Sequence, residues 1–237
     1  MSWFSRTEIL VGQEPMKALK EANVMIIGLG GVGAYAAESI CRAGVGKITI
    51  VDGDCVDESN RNRQLPALIS TTGLPKAEVL SKRFLDINPQ LEVRVVNDFI
   101  KEDYMNTLIE SDNFDYVVDC IDTLSPKVNL IRNCVERNIP IVSSMGAGGK
   151  FDPTQIQVTD ISNSFNCKLA RQVRKRLGKL DIREGIPVVF SPEEVDISRV
   201  IEERGQHKAS VVGTISYMPP AFGCAVASVV LRNLLGK

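Results

Sequence analysis

Histidine is nearly absent from this sequence: His207 stands alone among 237 residues. It is far in sequence from every other candidate residue below, which argues against a histidine-based hydride mechanism, and it reads as an ordinary surface or core histidine. Cysteine occurs six times, at 41, 55, 120, 134, 167 and 224, but never as C-x-x-C. That spacing argues against a tetrahedral zinc site or a dithiol redox pair, and reduced thiols in a cytoplasmic protein are the expectation. Net charge is missing too: a formal charge of -1 argues against nucleic-acid binding by the whole surface but leaves room for a local basic patch. Residues 1–12 lack a basic stretch leading into an apolar core, so no export signal is expected. The strongly apolar run 211–231 is interrupted by Pro219 and Pro220 and carries Thr214, Ser216 and Ser228. A strand or loop followed by a buried helix over 221–235 is expected there, with no stable membrane insertion.

What remains is an ordinary globular composition, 44% hydrophobic and 24% charged, long enough for one large or two small domains. Residues 24–33, VMIIGLGGVG, organise the chain. Four apolar residues run without alternation into a glycine cluster, and a helix-forming segment over 34–42 follows, which is the pattern of a buried strand, a tight turn and a helix N-terminus. Gly28, Gly30 and Gly33 fit a phosphate-binding fingerprint, in which free N–H groups and the helix dipole favour an anion. Gly31 is one glycine more than that fingerprint needs, and it reads as room for the α-phosphate of a nucleotide. The loop alone names a nucleotide without saying which.

A second strand, 47–51, ends at Asp52, close to the spacing of a ribose-binding acid. The polar block 54–64 then concentrates Arg61 and Arg63 with Asn60 and Asn62, a set suited to charge developing on a phosphate rather than to hydride transfer. Pro75 suits the first turn of a helix reaching Ile87, which puts Lys76 on that turn; taken singly, Lys76 reads as a solvated lysine. Further strands are expected at 92–96, 115–122 and 139–143, with a helix over 125–137. Asp122 falls at a strand's carboxyl end, and a carboxylate beside a triphosphate implies a cation, Mg²⁺. This alternation predicts a doubly wound, Rossmann-like, mainly parallel α/β sheet over 24–150. A helical lead-in over 1–23, anchored by Phe4, Ile9, Leu10 and Leu19, precedes it, and a C-terminal extension of mixed strands and helices, 151–237, follows. In that extension strands are expected at 155–161 and 188–191. Between them, 168–183 carries Lys168, Arg171, Arg174, Lys175, Arg176, Lys179 and Arg183 against Asp181. On composition this run is equally a solvated helix face or a contact for a nucleic-acid backbone.

Taken together, GLGGVG at 28–33, VDGD at 51–54, SNRNRQ at 59–64, GLPKAE at 73–78, DINP at 86–89 and DCID at 119–122 resemble the ubiquitin-activating enzyme superfamily. That adenylating group includes the bacterial activators of sulfur-carrier proteins. Within it, GAGGKFDPTQIQVTDI at 146–161 and VVFSPEE at 188–194 are most similar to the tRNA threonylcarbamoyladenosine dehydratases. The resemblance spans nearly the whole chain and implies one adenylation domain over 1–237. It implies that Gly28, Gly30, Gly31 and Gly33 face ATP, that Asp52 holds the ribose, and that Ser59, Asn60, Arg63 and Lys76 surround the phosphates. It further implies that Asp122 binds Mg²⁺, and that Arg6, in isolation a solvated arginine, reaches into the partner's site of a homodimer. Arg63, Lys76, Asp122 and Arg6 are then the catalytic set, and the basic run becomes a tRNA contact. Cysteine desulfurases and sulfur-acceptor proteins enter as partner classes. Cys120 lies nearest the site but reads as structural. Two other readings stand: an activator of a small carrier protein, and an NAD-dependent oxidoreductase or nucleotide sensor.

Overall fold

The computed structural model describes residues 2–100, 102–196, 198, 200–201 and 211–237; His207 lies outside them. Strand β1 (Asn23–Ile27) is buried along its whole length, as expected for a run without polar alternation. It pairs in parallel with β2 (Lys47–Val51) on one side and with β4 (Tyr116–Asp119) on the other. Outward from β2 lies β3 (Glu92–Val96), and outward from β4 lies β5 (Ile141–Ser144). Strand β7 (Pro187–Phe190) extends the sheet in parallel from β5, and β6 (Gln157–Asp160) closes it as an antiparallel edge. The order β3-β2-β1-β4-β5-β7-β6 reverses direction between β1 and β4. Such a switch opens a crevice at the carboxyl ends of the two central strands, where open α/β sheets bind ligands.

Alternate residues of β1 feed two cores. Val24 and Ile26 pack with residues of helices α2 (Gln13–Glu21), α3 (Gly33–Arg42), α4 (Lys76–Ile87) and α8 (Met218–Leu234). Met25 and Ile27 pack with residues of α5 (Glu102–Ile109), α6 (Leu124–Glu136) and α7 (Lys168–Leu177) on the other face. Each of these fully buried side chains stabilises the fold by about 1.5–3 kcal/mol relative to exposure. A short antiparallel pair, β8 (Val200–Ile201) and β9 (Val211–Val212), lies apart from the main sheet.

Several expected boundaries move. The lead-in is two helices, α1 (Ser5–Val11) and α2, divided at Gly12, whose φ of 93° lies in the left-handed region. Its anchors are Met16 and Leu19, with the expected Phe4 partly buried against the same core; the expected anchors Ile9 and Leu10 are instead 81% and 79% exposed. Strand β4 stops at Asp119, so Asp122 sits in the loop beyond it. The basic segment is not one helix to 183: α7 ends at Leu177, a 3-10 turn follows, and Asp181 takes a left-handed φ of 58°. Helix α8 begins at Met218, with Pro219 and Pro220 in its first turn, where a missing N–H costs nothing. Among the described residues no helix is long and apolar enough to cross a membrane.

Candidate nucleotide and acceptor site

The glycine loop joins β1 to α3 and is clamped from three sides. Gly28 has φ 88°, and a carbon added there would lie 2.7 Å from the Cys120 carbonyl oxygen. A carbon at Gly33 would lie 1.8 Å from the Gly28 carbonyl oxygen, so only glycine lets α3 begin this close to its own strand. A carbon at Gly31 would meet Pro219 of α8 at 2.8 Å and the Arg63 carbonyl oxygen at 3.3 Å. The closeness of α8 therefore accounts for the fourth glycine without any appeal to a phosphate. Gly30 differs, because nothing but Gln64, at 3.8 Å, would approach a side chain there. That open face is where an anion can come close to the backbone.

Asp52, just past β2, braces this loop. Its Oδ2 accepts from the Leu29 N–H at 2.6 Å and its Oδ1 from the Asp54 N–H at 2.8 Å. Burial pushes its carboxyl above the ordinary range, against the opposing pull of Lys76 and these two N–H groups. Lys76 is not a solvated lysine: its side chain is 5% exposed, and its Nζ lies 2.8 Å from Asp54 Oδ2. Ser59 and Asn60 form a 3-10 turn capped by Asp57, and the Ser59 carbonyl accepts from Arg63 Nη1 at 2.9 Å. Asn62 Oδ1 accepts from the same nitrogen at 2.7 Å. Ser59 and Asn62 thus aim Arg63, while Asn60 returns its side chain to the Asp57 N–H at 3.2 Å. Asn62 Nδ2 also donates to the Thr214 carbonyl at 3.0 Å, tying this block to the segment that leads into α8.

On the β4 side, Asp122 is exposed in the loop after Cys120. Burial first, and Asp119 next to it, push the Cys120 thiol up to about 12, which leaves it protonated and a poor nucleophile. Beyond β5, the loop 145–152 is fastened by residues to which the sequence reading gave no role. Lys150 is buried and donates to the Ser191 carbonyl at 3.1 Å and to the Glu193 carbonyl. The Glu193 carboxylate accepts from the N–H groups of Phe151 and Asp152. Their only trace in the sequence was membership of the GAGGK and SPEE strings.

Two sets of predicted residues are not brought into the crevice directly. Arg6 lies on α1, next to Phe4, which lines a hollow with Gly44, Gly46, Asn88 and Gln90. Those residues precede β2 and β3, at the opposite end of the sheet from the glycine loop. Helix α7 buries Ala170, Val173 and Leu177 and exposes Lys168, Arg171, Lys175 and Arg176, with Lys179 exposed in the turn that follows. Arg174 departs from the expected surface set: it is half-buried, and its Nη1 donates to the Ser164 carbonyl at 2.6 Å and to the Ser164 hydroxyl. Arg176 Nη1 donates to Ser125 Oγ at 2.7 Å, on the first turn of α6 and three residues beyond Asp122.

A model of the ThiF family matches residues 4–237. The chain belongs to the ThiF family. A member from Bacillus subtilis (strain 168), tRNA threonylcarbamoyladenosine dehydratase, is 42% identical over 228 residues, which is 95% of this chain and 89% of that protein. The Escherichia coli (strain K12) protein of the same name is 41% identical over 256 residues, covering 99% and 94%. The crystal structure of the E. coli enzyme in complex with ATP superposes with a TM-score of 0.89 at 37% identity, over 99% of this ThiF-family chain and 94% of that one. An AMP complex of the same enzyme matches equally well, with a TM-score of 0.89.

Proposed function

We propose that this protein carries out the ATP-dependent dehydration of N6-threonylcarbamoyladenosine in tRNA, next to the anticodon. The observation that carries the reading is an open-faced glycine loop at the strand switch, braced by Asp52, with a held arginine and a buried lysine on the segments that follow β2. The exposed basic face of α7 is tied to the same edge through Arg176 and Ser125. The substrate's carboxylate attacks the α-phosphate, pyrophosphate leaves, and an acyl adenylate forms. A nucleophilic atom of the same modification then attacks the acyl carbon and loses its proton, and AMP departs carrying the carboxylate oxygen. The ring closes with the net loss of water.

The chain's own groups supply placement and charge. Gly28, Gly30, Gly31 and Gly33 give the triphosphate a backbone seat, and Asp52 receives the ribose while bracing that seat. Ser59 and Asn60 shape the turn carrying Arg63. Lys76 exchanges Asp54 for a phosphate oxygen, and Arg63 joins it in neutralising the transition state. Mg²⁺ commonly takes one or two carboxylates together with phosphate oxygens and water. The exposed Asp122 is a hard oxygen donor of that kind, and a metal there would shield the triphosphate. Lys168, Arg171, Lys175, Arg176 and Lys179 meet the tRNA backbone, whereas Arg174 holds α7 in place. The whole chain, 1–237, acts as one adenylation domain in a cytoplasmic homodimer. Arg6 completes the partner's site, which is supported by its position away from its own crevice and by the exposed Ile9 and Leu10 on the same helix. A cysteine-desulfurase or sulfur-acceptor partner rests on the superfamily resemblance alone.

The test is to incubate the protein with ATP, Mg²⁺ and threonylcarbamoylated tRNA and to analyse the nucleosides by mass spectrometry. AMP and a nucleoside lighter by one water are expected. Arg63→Ala or Asp122→Ala should slow the reaction about 100-fold or more, and normal rates in either would refute the site. Charge reversal at Lys168, Arg171, Lys175 and Lys179 should raise the KM for tRNA. Absence of product, with pyrophosphate exchange that depends on a carrier protein and ignores those reversals, would favour the carrier-activating reading.

A further inference from the structure

One ion pair takes no part in the reaction above. Asp119 and Lys127 are both 0% exposed, and Lys127 Nζ lies 2.7 Å from Asp119 Oδ2. The same ammonium donates to Ser143 Oγ at 3.1 Å and to the Ser144 carbonyl at 2.9 Å. The Ser143 hydroxyl donates to Asp119 Oδ2 at 2.6 Å. Asp119 Oδ1 accepts the Ile121 N–H at 3.0 Å. Every proton of the ammonium has an acceptor, and both oxygens of the carboxylate are engaged.

The desolvation of two buried charges commonly exceeds their mutual attraction, and a well-packed apolar pair of similar volume stabilises a fold as well or better. Stability alone therefore does not account for this pair. Its place in the fold does. Asp119 ends β4, Ser143 and Ser144 end β5, and Lys127 sits near the start of α6. From these strand ends leave the loop carrying Asp122 and the loop 145–152 held by Glu193. One ammonium joins the roots of both. An apolar residue would fill the space but would not orient the Ile121 amide or hold the Ser144 carbonyl.

We infer that Lys127 is a positioning residue. Acting through Asp119, it fixes the turn that presents Asp122; acting on Ser144, it fixes the root of the loop beyond β5. The loop that carries Asp122 and the loop 145–152 thereby keep a constant spacing. The inference rests on the assignment of Asp122 to a divalent cation.

The experiment measures ATP affinity by calorimetry with and without Mg²⁺, together with amide exchange at Ile121 and the melting temperature. It compares the unsubstituted protein with the apolar double variant Asp119→Leu/Lys127→Met and with Ser143→Ala. The expected result is a folded double variant whose Mg²⁺-dependent gain in ATP affinity falls about tenfold, with the Mg²⁺-free affinity within about twofold. Its Ile121 amide should exchange faster, and Ser143→Ala should shift both readings the same way by less. If the double variant does not fold, Ser143→Ala decides through the same two measurements. A variant that keeps the full Mg²⁺ gain and normal Ile121 protection overturns the inference and leaves the catalytic reading intact. If the unsubstituted protein gains nothing from Mg²⁺, the metal assignment at Asp122 fails and the inference falls with it.

Discussion

A single methyl group separates the roles of the loop glycines. Gly33→Ala would force a carbon to within 1.8 Å of the Gly28 carbonyl, and one strand end or the start of α3 must then move. The expected cost is about 3 kcal/mol, read as a lower denaturation midpoint with ATP binding lost as well. Gly30→Ala meets no atom closer than 3.8 Å. It should unfold at the wild-type midpoint and still bind ATP at least tenfold more weakly, because the methyl would stand in the proposed phosphate seat. Equal destabilisation by the two substitutions would refute this division. The sequence marked both glycines as alike, since spacing reveals where a glycine is needed but not which neighbour requires it. Lys76 was singled out only through the resemblance carried by GLPKAE, since taken singly it read as a solvated lysine, and its burial against Asp54 came from the fold. Lys127 was not singled out, because a lysine in a helix reads as solvated unless the strand ends facing it are known.

Helices α3 and α4 are joined by a charged contact that makes their docking depend on pH. Glu38 of α3 accepts from Arg83 of α4 at 2.5 Å and from Arg42 at 2.8 Å. Burial opposes its ionisation, but the hydrogen bonds from Arg83 and Arg42 outweigh it and hold the carboxyl below the usual range. A folded value below the unfolded one contributes stability that is present above the ordinary glutamate range, about pH 4.3. That stability is lost as pH falls through the folded value. Glu38→Gln should therefore lower stability by about 1 kcal/mol at pH 7, and the difference should shrink to nothing in acid unfolding series carried below the folded value. A difference that persists in acid would show that packing, not charge, carries the contact. At this scale the sequence was informative where strands are buried on both faces, as at β1, and silent at α5. Met105, Leu108 and Ile109 have helical spacing and are buried, but eight residues are too few for propensity to declare a helix without the sheet beneath it.

Arg6 and Asp122 lie at opposite ends of one sheet, so the proposed homodimer would bring them together only between chains. Mixed dimers test this directly. Arg6→Ala and Asp122→Ala homodimers should each be nearly inactive, whereas a purified heterodimer of the two should recover up to about half of the activity at one composite site, on simple site counting. A heterodimer as inactive as its parents would place Arg6 in its own crevice. Neither the sheet order nor the position of α1 was available from motifs, because both depend on contacts between distant segments.

Such distance in sequence also governs how the molecule is made. The glycine loop begins at Gly28, but its outer wall is Pro219, and Gly223 lets α8 lie within 2.6 Å, measured from an added carbon, of the Val32 carbonyl oxygen. Domains emerge from the ribosome N-terminal end first, and contacts across nearly two hundred residues form late because the intervening loop must close. A nascent chain therefore exposes β1 and α3, with their apolar faces, long before the wall against them exists. Until the last helix is synthesised, the half-made protein has a nucleotide fingerprint and no finished place to put a nucleotide.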